Sequence, residues 1–333
     1  MALTALFLGS PTTTTVAVVA RWLAGGHRIA AFWTASGHDN HWRLDRRVGR
    51  VAPQWSMLRH LEAAGVSRVD VPRLSRWPDA VGRARETDAD VLISAYFHHV
   101  VPPEMLALFP GRAFNFHASL LPRYRGPTPL PAMILDRATD AAGVTLHLLA
   151  PSLDTGALIG QTAVAFPQPR YAVTLAHAAA DLVEAIPAYL EGRVAARPQD
   201  EGRASYRRVD PATEFVLSAE LPAEEIAWRC RAMPYIRPPA IRSLPGRDAV
   251  AFVRALGPPT GEPARVRWLS VDFDAADRRV RVRLRWNGWR RLDRWRFFWL
   301  LRRTPVLRIG PGLVPGHQPR ALEAAAGDGV AEP

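Results

Sequence analysis

The residues of this sequence that could best do chemistry are an asparagine and a histidine two positions apart, Asn115 and His117. On a β-strand, side chains two positions apart leave the same face, so both polar groups would share one face while Phe114 and Phe116 turn into a core. A side-chain amide can donate a hydrogen bond to a developing oxyanion, and an imidazole can move a proton. The pair therefore suits acyl transfer.

An imidazole used in this way needs a carboxylate that orients or balances it. The obvious candidate is Asp154, which lies in a Leu-Asp-Thr-Gly turn after the strand-like run from Val144 to Leu149. The strand that holds Asn115 ends in small and turn-forming residues, and ligand sites of parallel sheets lie at the carboxyl ends of their strands. We therefore expect a site at this edge of a sheet.

The elements that would position these residues begin with a β-α-β unit. Residues 3–8 are apolar and end in Gly-Ser, residues 16–24 have helical spacing, and residues 27–33 form a second strand-like run. This order predicts a parallel sheet with right-handed crossovers, and the absence of a G-x-G-x-x-G pattern gives no support for a dinucleotide site. Further predicted elements are helices over 55–64, 79–86, 127–138 and 171–192 and strands over 68–71 and 90–95.

Length and composition limit the class of protein. At 333 residues, two domains are expected, and no apolar run approaches the length of a membrane-spanning helix. The apolar start is typical of a buried first strand rather than of a signal peptide. The single cysteine, Cys230, excludes an internal disulfide framework and a cysteine-cluster metal site, which fits a reducing, cytoplasmic setting.

The formal charge of +12 has two interpretations. It could indicate nucleic-acid binding, but the sequence contains no lysine, and its many Ala, Pro and Gly residues indicate a compositional bias that raises arginine throughout. Residues 34–53 are predicted to form a basic loop, which is either a phosphate-contacting surface or a solvated segment. His98 and His99 are adjacent and have no evident carboxylate partner, so no metal site is predicted.

Longer sequence blocks surround the candidate residues. They are Asn-x-His-x-Ser-Leu-Leu-Pro from Asn115, Tyr-Arg-Gly ending at Gly126, Gly-Val-Thr from Gly143, and Leu-Asp-Thr-Gly ending at Gly156. Together and in this order they resemble the folate-dependent formyltransferase family. That family includes methionyl-tRNA formyltransferase, glycinamide ribonucleotide formyltransferase and the sugar-nucleotide N-formyltransferases. The resemblance extends over residues 2–192 and, more weakly, over residues 214–256.

The resemblance implies a Rossmann-like α/β fold, with a doubly wound, mostly parallel sheet and a smaller β-rich carboxyl-terminal domain. The expected division is a catalytic domain over 1–192, a linker over 193–213, a second domain over 214–315 and a disordered tail over 316–333. In the second domain, Val280, Val282 and Leu284 alternate with arginines, which predicts one apolar and one basic strand face.

The resemblance also implies an activity, namely formyl transfer from 10-formyltetrahydrofolate to a primary amine, a reaction of one-carbon metabolism. Asn115 would donate to the oxyanion, His117 would donate to it or relay a proton, and Asp154 would orient His117 or a water and help remove the amine proton. Folate contacts are implied for Ala95, Tyr96, Phe97, Val100, Leu153 and Thr155. Acceptor contacts are implied for Ser10, Arg125, Gly126 and His147.

The acceptor is predicted to be a small molecule such as an amino sugar nucleotide. A histidine at His147 resembles the small-molecule members of the family, and residues 34–53 lack the Pro-Asp-Arg-Pro-Ala-Gly-Arg-Gly-like loop usual in the tRNA enzymes. The alternative, formylation of initiator Met-tRNA, is favoured by the basic charge and by the Arg-rich second domain. A formyltetrahydrofolate hydrolase and a silent folate- or RNA-binding module are further alternatives.

The second domain ends in a segment, residues 286–303, in which arginines alternate with aromatic residues. Such a segment could stack on nucleotides, or it could pack on the first domain or on the partner subunit of a homodimer. The sequence leaves these alternatives open.

Overall fold

A computed structural model describes residues 2–37, 39–166, 170–210, 214, 216–232, 240–241, 249–284, 296 and 298–307. Three parts of the sequence interpretation lie outside the described residues. They are residues 233–239 of the weakly matching range 214–256, residues 286–295 and 297 of the segment 286–303, and the predicted tail at 316–333. Within the described residues, no helix combines the length and the apolar character needed to cross a bilayer.

The first part of the chain forms a seven-stranded sheet. Its strands are β1 (Thr4–Gly9), β2 (Arg28–Ala35), β3 (Arg68–Val71), β4 (Val91–Ala95), β5 (Ala113–His117), β6 (Gly143–Leu148) and β7 (Leu158–Ala163). Their order across the sheet is β3-β2-β1-β4-β5-β6-β7. Strands β1 to β5 are parallel, β6 is antiparallel to β5, and β7 is antiparallel to β6. The predicted doubly wound, mostly parallel sheet is confirmed.

Helices cover both faces of this sheet. They are α1 (Thr13–Ala24), α2 (Asp39–Val51), α3 (Met57–Ala63), α4 (Ala80–Glu86), α5 (Pro103–Leu106), α6 (Pro129–Leu135), α7 (Tyr171–Leu182) and α8 (Ala185–Leu190). The sequence of β1 is apolar at consecutive positions because both faces of the strand are buried. Ala5 and Phe7 pack into the core under α1 and α7, and Leu6 and Leu8 pack into the core under α4 and α5. A strand buried on both faces has no polar face.

The predicted basic loop at 34–53 is wrong, because its central residues form helix α2. Trp42 and Val48 are buried on its inner face, and the arginines lie on the opposite, exposed face. The carboxylate of Asp45 accepts N–H bonds from Met57 at 2.8 Å and Leu58 at 3.0 Å, where α3 begins. The burial of two apolar side chains and the contact of the Asp45 carboxylate with the start of α3 therefore stabilise a helix in a segment whose composition indicates a loop.

The single long helix predicted over 171–192 is also wrong, because the segment forms α7 and α8 with a break after Leu182. Pro187 has no N–H with which to bond the carbonyl of Val183, so α-helical bonding cannot continue through this point. The Val183 N–H bonds instead to the Ala180 carbonyl at 3.1 Å, a tighter turn that closes α7.

Residues 249–284 form a separate four-stranded antiparallel sheet. Its strands are β10 (Ala249–Gly257), β11 (Arg265–Val266), β12 (Ser270–Asp274) and β13 (Arg279–Leu284), in the order β10-β13-β12-β11. A short parallel pair, β8 (Val216–Leu217) and β9 (Ala240–Ile241), and helix α9 (Ala223–Ala232) precede it. Val280, Val282 and Leu284 are buried against Ile226 and Cys230 of α9, so the predicted apolar strand face is confirmed.

Residues 266–271 do not form one continuous strand, because the chain turns within them. Strands β11 and β12 form a hairpin in which Arg265 pairs with Asp272 and Val266 pairs with Val271. The Arg267 N–H donates to the Ser270 carbonyl at 2.7 Å, which closes the turn.

Residues 298–307 pack against the helices that cover one face of the seven-stranded sheet. Leu301 is 1% exposed and belongs to the core beneath α1 and α7. The Gln54 Nε2 donates to the Leu301 carbonyl at 3.0 Å, the Trp55 Nε1 donates to the Thr304 carbonyl at 2.8 Å, and the His177 Nε2 lies 2.9 Å from the Pro305 carbonyl. Of the alternatives left open for the segment 286–303, its residues 298–303 therefore show packing against the helices of the seven-stranded sheet.

Candidate active site

The polar pair of strand β5 faces a pocket at the carboxyl ends of the parallel strands. Asn115 and His117 line this pocket, which has a volume of about 310 Å³. Phe114 and Phe116 are buried in the core. The alternation predicted from the sequence therefore places the amide and the imidazole on one side of the strand, at the expected edge of the sheet.

His117 lies between a backbone carbonyl and a carboxylate. Its Nε2 is 2.9 Å from the Tyr124 carbonyl oxygen, which can only accept, so the Nε2 carries a proton. Its Nδ1 is 3.6 Å from Asp154 Oδ2. A second proton on the imidazole would therefore sit on Nδ1, facing the carboxylate. Both side chains are buried, so the contact between them is shielded from bulk water.

Asn115 is oriented by a second histidine on the neighbouring strand. Asn115 and His147 are direct partners of the β5–β6 pair, and the Asn115 Nδ2 lies 3.1 Å from the His147 Nε2. The His147 Nδ1 lies 2.7 Å from the Leu148 carbonyl oxygen, so the proton sits on Nδ1 and the Nε2 accepts from the amide. Complete burial lowers the pKa of His147 to about 4, so this imidazole is neutral near pH 7.

This burial predicts how stability depends on pH. In the unfolded chain, His147 has a pKa of 6.5 and binds a proton as the pH falls below that value. In the folded protein, the same imidazole binds a proton only near pH 4. Its contribution to stability therefore falls as the pH drops from 6.5 to 4. In His147→Gln, where the Oε1 can still accept from Asn115, this loss is expected to disappear. Urea unfolding of both proteins at pH 7 and pH 5 measures it; equal losses on acidification in both would contradict the prediction.

Asp154 is held in the pocket by a turn with unusual backbone geometry. Its Oδ2 accepts the Gly126 N–H at 2.8 Å, and its Oδ1 lies 3.7 Å from the His147 Nε2. Its φ is +55°, and two other non-glycine residues beside the pocket, Tyr96 and Tyr124, have φ values of +53° and +58°. Such left-handed residues cost conformational energy and cluster at functional sites.

The structure divides the predicted folate-contacting residues into two groups. Tyr96, Phe97, Val100 and Leu153 line the pocket, as do the three candidate catalytic residues. Ala95 is fully buried outside the lining, and its carbonyl accepts the Thr15 hydroxyl at 3.2 Å. The Thr155 hydroxyl, also outside the lining, donates to the Ser152 carbonyl at 3.0 Å.

The predicted acceptor-contacting residues are divided in the same way. Gly126 lines the pocket, whereas Ser10 and His147 are fully buried outside its lining. The guanidinium of Arg125 donates its hydrogen bonds to other side chains of the protein. Its Nε and NH2 donate to the Gln199 Oε1 at 3.1 and 2.8 Å, and its NH1 donates to a Glu201 carboxylate oxygen at 2.9 Å.

The sequence did not predict that residues after α8 contribute to the pocket. Tyr206 lines the pocket although it lies in the predicted linker, and it lies against Gly126, where a Cβ would approach the Tyr206 ring to 2.9 Å. Residues 193–208 show neither helical nor strand periodicity, so no pattern could have placed Tyr206. Within the described part of the chain, no three His, Cys, Asp or Glu side chains group as metal ligands.

Solved structures with this architecture define the class of fold. WlaRD, a sugar 3N-formyltransferase solved with dTDP and 5-N-formyl-THF, has a TM-score of 0.59 and 16% identity; the match covers 86% of this chain and 99% of that one. An N-formyltransferase from Helicobacter canadensis in complex with folinic acid and dTDP-3-aminofucose has a TM-score of 0.57, 15% identity and coverages of 86% and 100%. HypX from Aquifex aeolicus, with tetrahydrofolic acid, has a TM-score of 0.55 and 13% identity, and the match covers 84% of this chain and 43% of HypX. The chain thus has the formyltransferase fold.

A family model matches the central part of the sequence. Residues 64–186 match the family model described as Formyl transferase. This segment contains Asn115, His117 and Asp154, so the sequence blocks that resembled this family lie within the match. The protein is therefore a one-carbon transferase.

Proposed function

We propose that the protein is a 10-formyltetrahydrofolate-dependent N-formyltransferase whose acceptor is a small primary amine, such as an amino sugar linked to a nucleotide. The observation that carries this proposal is the meeting of Asn115, His117 and Asp154 in one pocket, inside the segment that matches the family. An amide, an imidazole and a carboxylate together supply the donors and the proton acceptor that acyl transfer to an amine requires.

The pocket suits a folate as the formyl donor. A volume of about 310 Å³, apolar and aromatic walls and a few convergent polar groups are typical of a small-molecule site. Phe97, Val101 and Leu153 could enclose a flat ring system, while the polar groups of Asn115 and Asp154 lie at the inner end. Folate or a formylated folate is also the ligand named for the structures of similar fold.

The residues would divide the reaction between them. The amine nitrogen forms a bond to the formyl carbon, the bond from that carbon to the folate nitrogen breaks, and one proton passes from the amine to the released folate. An Asn115 N–H would donate to the oxygen that becomes negative. Asp154 would take up the amine proton, directly or through a water. His117, with its Nδ1 towards Asp154, would relay the proton that Asp154 takes up.

The proposed acceptor class rests on two observations. His147 is the type of residue seen in the small-molecule members of the family. In addition, WlaRD and the Helicobacter canadensis N-formyltransferase, which share the fold, were solved with dTDP and with dTDP-3-aminofucose, respectively.

The test is formyl transfer from 10-formyltetrahydrofolate to three acceptors side by side: a panel of dTDP-linked amino sugars, glycinamide ribonucleotide and initiator Met-tRNA. We expect an amino sugar to be formylated, and Asn115→Ala to slow the reaction about 10²–10³-fold. Transfer to tRNA alone, weakening steeply with salt as phosphate contacts require, would replace the proposed acceptor. Release of formate with no acceptor would indicate a hydrolase. No turnover of the donor at all would overturn the proposal.

A further inference from the structure

The side chain of Gln199 joins the two loops that form the candidate active site. Gln199 is 9% exposed and lies beyond the segment 64–186 that matches the family. Its Nε2 donates to the carbonyls of Asp154 and Gly156, both at 2.8 Å. Its Oε1 accepts from the Arg125 guanidinium at 2.8 and 3.1 Å. One amide thus uses both its donor and its acceptor capacity between the two loops.

These bonds control Asp154 at both its backbone and its carboxylate. The Asp154 carbonyl is bonded at a residue whose φ is +55°, a conformation that neighbours must enforce. The carboxylate is bonded by the Gly126 N–H, and Gly126 follows Arg125 in the chain. Anchoring Arg125 to Gln199 therefore also fixes the donor that aims the Asp154 carboxylate.

The chain around Gln199 is itself attached to the site. The Arg125 N–H donates to the Ser205 carbonyl at 2.8 Å, and the Ser205 N–H donates to the Pro122 carbonyl at 3.1 Å. The Ser205 Oγ accepts the Tyr124 N–H at 2.9 Å. Residues 199–206 therefore run along the loop that carries Tyr124, Arg125 and Gly126, and they hold Gln199 in its place.

We propose that Gln199 is a positioning residue for the formyl transfer, acting by holding the Asp154 turn and the Arg125–Gly126 loop at their working separation. The inference rests on the proposed function for its kinetic part. It means that residues 199–206, which follow α8, help to set the geometry of the site. Because displacement of a reacting group by about 1 Å can cost about 10²-fold in rate, loss of this link is expected to affect turnover far more than substrate affinity.

Two substitutions separate this role from simple support of the fold. Gln199→Met removes both sets of hydrogen bonds at nearly constant volume. Gln199→Glu keeps the acceptor for Arg125 but sets a carboxylate against the carbonyls of Asp154 and Gly156. We expect kcat to fall about 10- to 100-fold in both, with the KM for donor and acceptor within about 3-fold of wild type. If Gln199 served only to anchor Arg125, Gln199→Glu would retain wild-type kcat, and that result would overturn the proposal.

Gln54→Met is the matched control. Gln54 also donates its amide to backbone carbonyls, those of Leu301, Arg302 and Thr304, but it lies outside the pocket. This variant is expected to lose stability with unchanged kcat. A kcat loss in Gln199→Met no larger than that in Gln54→Met would contradict the positioning role. In the Asp154→Asn background, Gln199→Met should cost less than about 3-fold, because residues that act as a unit are not additive.

A measurement independent of activity keeps the inference testable if the wild type transfers no formyl group. The Gly126 N–H donates to Asp154, so its hydrogen exchange reports on the carboxylate. Exchange at Gly126 is expected to accelerate at least 10-fold in Gln199→Met and to stay unchanged in Gln54→Met. Unchanged exchange in Gln199→Met would refute the inference. An inactive wild type with accelerated exchange would instead refute the proposed function alone.

Discussion

Asp154→Asn is expected to lower kcat for formyl transfer by about 10²–10⁴, the range that a proton-transferring side chain contributes. The substitution keeps the shape of the side chain, and its Oδ1 can still accept the Gly126 N–H that Asp154 accepts at 2.8 Å. An amide, however, cannot take up the proton of the attacking amine, and it has no negative charge to balance a protonated His117. Steady-state rates at saturating donor and acceptor measure the effect.

The control for this prediction is another buried aspartate. Asp45 accepts N–H bonds from Met57 and Leu58 at the start of α3 and does not line the pocket. Asp45→Asn is therefore expected to lower stability and to leave kcat within about 2-fold of wild type. If Asp154→Asn kept a tenth or more of wild-type kcat, Asp154 could not be the group that removes the proton.

Asn115→Ala is expected to lower kcat by about 10²–10³, the cost commonly found when one oxyanion donor is removed. Asn115 presents an amide whose orientation is already fixed by His147, so little reorganisation is needed as negative charge develops. The KM values should change little, because the missing hydrogen bond strengthens only in the transition state. The same assay, with each substrate varied in turn, gives both constants.

Two further variants test whether donation by the amide is the cause. Asn115→Asp has nearly the same shape but places a negative charge beside the oxyanion, so its loss should be at least as large as that of the alanine variant. Asn40→Ala, on the exposed face of α2, should have wild-type activity. Restored turnover in Asn115→Asp would mean that shape, and not hydrogen-bond donation, matters at this position.

The parts of the fold that could be predicted are those in which burial fixes the residue pattern. Strand β5 alternates because one face meets the core and the other meets the pocket, and β13 alternates because one face packs on α9. The grouping of Asn115, His117 and Asp154 followed from their sequence blocks together with the rule that sites lie at the carboxyl ends of parallel strands.

The parts that could not be predicted depend on single contacts between distant residues. Helix α2 is specified by Trp42, Val48 and the capping contact of Asp45 with α3, which its many arginines obscure. Gln199 and Tyr206 lie in a segment with no periodicity, and only their partners in the folded chain give them a role. Local patterns carry no signal for such contacts.

The docking of residues 298–307 has a consequence for how the chain is made. The hydrogen bond from Gln54 to the Leu301 carbonyl joins residues 247 positions apart, and Leu301 completes the core beneath α1 and α7. During synthesis, the seven strands of the sheet therefore leave the ribosome before Leu301, and the apolar surface that Leu301 covers stays exposed until then. Contacts of such long range slow folding and prolong exposure to aggregation. A chain that ends before Leu301 would thus expose part of the core beneath α1 and α7, although all seven strands of the sheet are present.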